Sequence, residues 1–211
     1  MKVGILGSGV VAQALGRGFA SRGHDVKLGT RDPEKLKAWA EQVGGKVSVG
    51  SFADASRFGE LIVLATLWTG TENAIRIAGA EAFAGKVVID TTNPLDFSVM
   101  PPRLSIGHTD SAGESIQRWL PNARVVKAFN TVGNAHMVDP HFPGGPPDMP
   151  ICGDDATAKQ TVTAILESFG WSVVDVGGME AARYVEPLAM VWILYYFQRK
   201  SGDHAFKLLR K

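Results

Sequence analysis

The stretch "KVGILGSGVVAQALGRGFASRGHDVKLG", Lys2–Gly29, decides the fold. "KVGIL" (2–6) is a short apolar strand, and "VVAQALGRGFASR" (10–22) has helical apolar spacing with Gly23 at the stop. "HDVKLG" (24–29) reads as a second strand. Between the first strand and the helix lies "GSGVVA" (7–12). A bare G-x-G-x-x-A run is a weak signal, but placed between a strand and a helix in a βαβ unit it is a strong one for a dinucleotide-binding turn. Gly7 permits the turn, Gly9 leaves the backbone open to a pyrophosphate, and Ala12 lets the helix pack closely on the sheet. The helix start through Ser8, Val10 and Val11 offers free N–H groups and a partial positive charge to phosphates.

Outward from this unit the pattern repeats as strand then helix. Apolar strands are predicted at 46–50, 60–66, 86–94 and 124–131, with helices at 32–43, 71–83 and 111–120. "ELIVLAT" (60–66) is continuously apolar, as expected for a strand covered on both faces. The alternation predicts an α/β fold, a Rossmann-type doubly wound parallel sheet over residues 1–148. "DPHFPGGPPDMP" (139–150) has loop composition and marks the boundary. Residues 149–211 then read as a small C-terminal α/β subdomain, with strands at "PICG" and "WSVVDVG" and a last helix from about Glu180 to Arg199. About sixty residues make little core alone, so this part is expected to lean on the first domain or on a partner subunit. Dimerisation and the second-substrate pocket are assigned to it.

The 211 residues are 45% hydrophobic and 20% charged, which suits a soluble globular chain. A net charge of +1 gives no basis for nucleic acid or a membrane surface as partner. The longest late apolar run, "PLAMVWILYYF", has 11 residues, against the roughly 20 a membrane span needs. It reads as a buried helix, and a helix apolar on all sides favours a homodimer. The single cysteine, Cys152, excludes an internal disulfide and fits a reducing compartment, so the cytoplasm is the expected location.

The residue that meets an adenosine ribose lies at the end of the second strand. Thr30 and Arg31 stand there, with Asp32 behind them. A carboxylate would accept from a 2′-hydroxyl and repel a 2′-phosphate. Thr30 can donate to a phosphate, Arg31 can fork onto it or stack on adenine, and Lys35 adds charge. Asp32 before Pro33 is read as a helix cap. NADP(H) is therefore the expected cofactor. Ligands in such sheets bind outside the carboxyl ends of the strands. That rim holds Thr66, Leu67 and Trp68 for the cofactor's middle. Thr91, Thr92, Asn93, Pro94 and Asn130 stand where a nicotinamide would sit. The threonines serve equally as strand terminators, and Trp68 and Phe129 equally as core. No paired carboxylates, nucleophile triad or metal-ligand spacing is present, so no catalytic residue and no metal is assigned. Hydride transfer between two planar rings needs mainly positioning.

"MKVGILGSGVVAQALGRGFASRGHDVKLGTRDPEK", "VVKAFNT", "MPICGDDATAKQTV" and "DVGGMEAARYVEPLAMV", in this order, resemble the NADPH-dependent reductases of the deazaflavin coenzyme F-420. The R-x-x-E of Arg183 and Glu186 is among the more specific marks. The resemblance implies a Rossmann domain, a small C-terminal domain, a dimer, and hydride transfer between NADP and a planar deazaflavin. It implies Thr30 and Arg31 as the 2′-phosphate site. "FNTVGN" and "DTTNPL" depart from the archaeal reductases, which leaves FMN, FAD or a small carbonyl or imine as rival acceptors. A protein that binds NADP without turnover is the third reading. "KAFN" is also similar to the cytosolic domain of membrane ferric reductases, which pass hydride from NADPH to a flavin.

Overall fold

The computed structural model describes every residue from Met1 to Lys211. Strand β1 (Lys2–Leu6) feeds helix α1 (Val10–Ser21), and β2 (Asp25–Gly29) follows. A 3-10 turn at Pro33–Leu36 runs into α2 (Lys37–Val43), and β3 (Val47–Gly50) ends the first half. The chain then crosses through α3 (Phe52–Phe58) to β4 (Leu61–Leu64), α4 (Trp68–Ala78) and β5 (Val87–Asp90). A small antiparallel hairpin of β6 (Leu95–Asp96) and β7 (Arg103–Leu104) precedes α5 (Ala112–Trp119) and β8 (Arg124–Lys127). Last come β9 (Asp148–Ile151), α6 (Ala156–Ser168), β10 (Ser172–Asp175) and α7 (Ala182–Arg199).

Six strands form one parallel sheet in the order β3-β2-β1-β4-β5-β8. The strand order reverses at β1, which pairs with β2 on one side and β4 on the other. The carboxyl end of β1 is thus the switch point where such sheets bind ligands, and the glycine turn leaves the sheet there. β9 and β10 pair in parallel as a second, two-stranded sheet. It is joined to the first where Lys127, at the end of β8, and Cys152 exchange backbone bonds of 2.9 and 3.3 Å.

Each face of the sheet is covered by its own core. On one face Val3, Phe19, Val126 and Phe129 pack with Met149, Val162, Leu166 and Phe169. The Phe19 and Phe169 rings meet edge to face at 5.1 Å. On the other face Leu64, Ile75, Ile116 and Val125 pack with Met179, Ala182 and Val185. Residues from beyond 148 thus enter both cores. α7 buries Val185 and Ala189 but leaves Tyr184, Val191, Leu194 and Tyr195 exposed on its outer side.

The elements differ from the sequence reading in specific ways. α3 is absent from that reading because seven residues carry little periodicity. Its start is nonetheless encoded, since Ser51 and Asp54 form a reciprocal capping box. The helix expected from 71 begins at Trp68 and stops at Ala78, where Gly79 turns to φ 84°. The strand predicted over 124–131 ends at Lys127, and Phe129 takes φ 61°, which no strand allows. Asp32 does precede a helical turn, but its side chain makes no cap bond. Its carboxylate instead faces Lys35 Nζ at 3.4 Å.

Candidate active site

The glycine turn divides two jobs between two residues. Gly7 has φ 143°, and a Cβ there would lie 2.2 Å from the Ala65 carbonyl oxygen. Its N–H donates to Gly29 O at 2.9 Å, which ties the turn to the end of β2. Only glycine fits this backbone. Gly9 is different, because a Cβ added there would meet nothing within 4 Å. The space above it is open, as a pyrophosphate requires. Gly9 caps α1 with no side-chain bond, and the first turn of α1 holds no acidic residue. The early N–H groups of this 12-residue helix are therefore free to receive an anion. Ser8 and Val10 are exposed beside them and Val11 is half-buried.

Because Gly7 holds Gly29, Thr30 and Arg31 follow directly at the neighbouring strand end. Thr30 is buried and continues the sheet, its N–H donating to Gly50 O at 3.0 Å. Arg31 is exposed and makes no ion pair or side-chain hydrogen bond within the chain. Lys35 is a solvent-facing charge held only by Asp32. No carboxylate occupies the strand end itself. The cluster thus offers a hydroxyl and an uncommitted guanidinium to a 2′-phosphate.

Along the same edge the structure brings the ends of β4, β5 and β8 side by side. Ala65 N–H donates to Leu6 O, Thr91 N–H to Leu64 O, and Ala128 N–H to Asp90 O. The threonine hydroxyls are already engaged inside the protein. Thr66 shares a 2.8 Å hydrogen bond with Thr71, Thr91 donates to Leu64 O at 2.9 Å, and Thr92 donates to Asp90 Oδ1 at 2.7 Å. Trp68 stacks on Trp119 at 5.4 Å as part of the α4–α5 packing, and Phe129 is core. Leu67, in contrast, is 73% exposed at the start of α4. Asn93, just before Pro94, donates through Nδ2 to Asn130 O at 2.8 Å. Asn130 Nδ2 donates to Asn93 Oδ1 and to Val185 O, both at 3.1 Å. Those two acceptors fix the amide's orientation. Asn130 Oδ1 is left buried with no protein partner.

Beneath this pair lies a group that sequence reading passed over as a site. Lys127 is wholly buried, with its ammonium 2.6 Å from Asp90 Oδ2, 3.0 Å from Glu186 Oε1 and 2.8 Å from Thr92 O. Glu186 also accepts from the Ala112 and Gly113 N–H groups at the start of α5, each at 3.0 Å. Burial disfavours the ammonium, but Asp90 and Glu186 outweigh it and hold the Lys127 pKa above its ordinary value. Burial also pushes the neighbouring Cys152 thiol up to about 12, so it stays protonated and unreactive. One signal was available: Asp90 and Lys127 end the apolar runs of β5 and β8, and a charge buried there must be paired. A contact loop then closes from Lys127 through Thr92, Asn93, Asn130 and Val185 to Glu186. Next to it Arg183 grips Glu114 at 2.6 and 3.0 Å, which docks α7 on α5.

Fold and turn define a Rossmann-type dinucleotide-binding protein. The family model described as "NADP oxidoreductase coenzyme F420-dependent" matches residues 2–94. The F420-dependent NADP reductase of Methanothermobacter marburgensis is 30% identical over 211 residues, 92% of this chain and 91% of that one. A solved structure from Arthrobacter sp. FB24, described as a candidate F420-dependent NADP reductase, is 40% identical with a TM-score of 0.95, and each chain is covered completely. The metalloreductase STEAP3 of Rattus norvegicus is 29% identical over 90% of this chain, which spans only 36% of that relative. The chain belongs to the family of F420-dependent NADP reductases.

Proposed function

We propose that the protein transfers a hydride between NADP(H) and a planar deazaflavin of the F420 type. The dinucleotide half is carried by the open α1 start above Gly9, joined through Gly7 to a strand end that offers Thr30 and a free Arg31, and the acceptor half is supported by the kinship with F420-dependent NADP reductases. Gly7, Ser8, Gly9, Val10 and Val11 would hold the pyrophosphate, and Thr30, Arg31 and Lys35 the 2′-phosphate. Thr66, Leu67 and Trp68 would border the cofactor's middle, mainly through backbone, since the Thr66 hydroxyl and the Trp68 ring are engaged elsewhere. Asn93, Pro94 and Asn130 would border the nicotinamide. The bound dinucleotide supplies the hydride. The chain's own part is to hold two rings together and keep water out, which needs no acid or base on the protein.

Residues 149–211 would form the small C-terminal unit, placing α7 against the rim. A second copy is the natural cover for the exposed Tyr184, Val191, Leu194 and Tyr195, so a homodimer is part of the proposal. No helix is long and apolar enough to cross a membrane. With the lone Cys152 buried as a thiol, a cytoplasmic enzyme is the reading we adopt. Mixing the protein with NADPH and oxidised coenzyme F420 should bleach the deazaflavin absorbance. Unchanged absorbance from protein that binds NADPH would reject the acceptor. A flavin is the second reading, suggested by the similarity of "KAFN" to the cytosolic domain of membrane ferric reductases, and FMN or FAD in the same assay tests it.

A further inference from the structure

The Lys127 group carries one positive and two negative charges. Asp90 Oδ1 accepts from the Thr92 N–H and hydroxyl, Glu186 accepts from the Ala112 and Gly113 N–H groups, and the ammonium lies 2.6 Å from Asp90 Oδ2, which accepts no hydrogen bond, and 3.0 Å from Glu186 Oε1. One ammonium against two carboxylates leaves the buried group with a net charge of −1. The start of α5 offsets part of it. The neighbouring Arg183–Glu114 and Arg118–Asp110 pairs are each neutral. The group lies directly under the rim, since Lys127 binds the carbonyl of Thr92, the residue before Asn93.

We infer that this net negative charge sets the redox balance of the bound nicotinamide. The inference rests on the reading of Asn93 and Asn130 as the nicotinamide end. When NADPH gives up a hydride, its ring changes from neutral to singly positive. The planar acceptor takes up the hydride's two electrons and proton, and a second proton comes from solvent. A buried negative charge under the ring favours the positive, oxidised form, so the site binds NADP⁺ more strongly relative to NADPH and drives hydride out of NADPH. Asp90, Lys127 and Glu186 touch no reacting atom; they act through the field they produce.

The structural alternative is that the group only staples β5, β8, α5 and α7 together. That role would move stability but not the preference between two oxidation states of one ligand. For a unit charge about 10 Å away at an effective dielectric of about 20, Coulomb's law gives a preference on the order of tenfold.

The test is calorimetric titration of the full chain with NADP⁺ and with NADPH. Wild type should bind NADP⁺ at least as tightly as NADPH. Glu186→Gln, which removes the excess charge and keeps the shape, should raise the ratio Kd(NADP⁺)/Kd(NADPH) about tenfold. Glu180→Gln, on the exposed side of Arg183, should leave that ratio alone because solvent screens it. A folded Glu186→Gln protein with an unmoved ratio overturns the inference. So does wild type that binds NADPH tenfold more tightly than NADP⁺, a result that stands even if the variant does not fold. Absence of binding by either form would instead reject the dinucleotide reading beneath it.

Discussion

At the β2 end of the sheet edge the charged candidate residues are loosely held, while at the β5–β8 end the polar candidates are buried or half-buried and bonded to one another. Arg31 and Lys35 stand in solvent, with one long contact to Asp32 between them. Asn93, Asn130, Lys127, Asp90 and Glu186 form a closed set in which nearly every polar atom has a partner. Under the proposed function the difference follows from what each end would recognise. A doubly charged phosphate can be gathered from water by flexible cations, because the long-range attraction acts before any fixed geometry is reached. Two planar rings that exchange a hydride must be held to within a fraction of an ångström, so their walls have to be rigid before the ligand arrives.

The largest effect should come from breaking the rigid end. Lys127→Met leaves Asp90 and Glu186 facing each other in the interior, and should cost about 3–5 kcal/mol in urea unfolding. A loss below about 1 kcal/mol would show that the buried ions are not coupled. The two turn glycines should separate next. Gly7→Ala is strained at φ 143° and collides with the Ala65 carbonyl, so it should lower thermal stability. Gly9→Ala meets no protein atom, so it should melt like wild type yet bind NADPH about tenfold more weakly. Equal behaviour of the two variants would contradict the division of labour assigned to the turn.

Arg31→Ala should then weaken NADPH by about 1.5–3 kcal/mol, the range for a charge-assisted hydrogen bond, and leave NADH and stability unchanged. The smallest effect concerns acid. Burial raises the Glu114 pKa, but the hydrogen bonds from Arg183 and Ser111 outweigh it and hold the carboxyl below its ordinary value. Its contribution is fully present above the ordinary carboxylate range and is lost as pH falls through the depressed value. The α5–α7 contact should loosen there, read as faster amide exchange in the first turn of α5. Glu114→Gln should remove that pH dependence.

The loose end was the legible one. Glycine spacing and the "GTR" strand end lie within one βαβ unit, so the sequence alone places the turn beside Thr30 and Arg31. The rigid end was read only as a row of polar residues. Thr66, Thr91 and Thr92 looked available because a hydroxyl's partner is set by packing, and here each points back into the protein. The Lys127 group joins residues 37 and 59 positions apart, and no local pattern reports such contacts. The α/β alternation was readable because the central strands carry short apolar runs, continuous in β4 and nearly so in β5. α3 escaped notice because seven residues show no period, although its capping box was in plain view.

The most direct test of the account is a side-by-side titration of the purified protein with NADPH and NADH. With Thr30 and Arg31 at the strand end and no carboxylate there, NADPH should bind at least about tenfold more tightly. NADH binding equally well or better would contradict it, and would return Asp32 to the ribose.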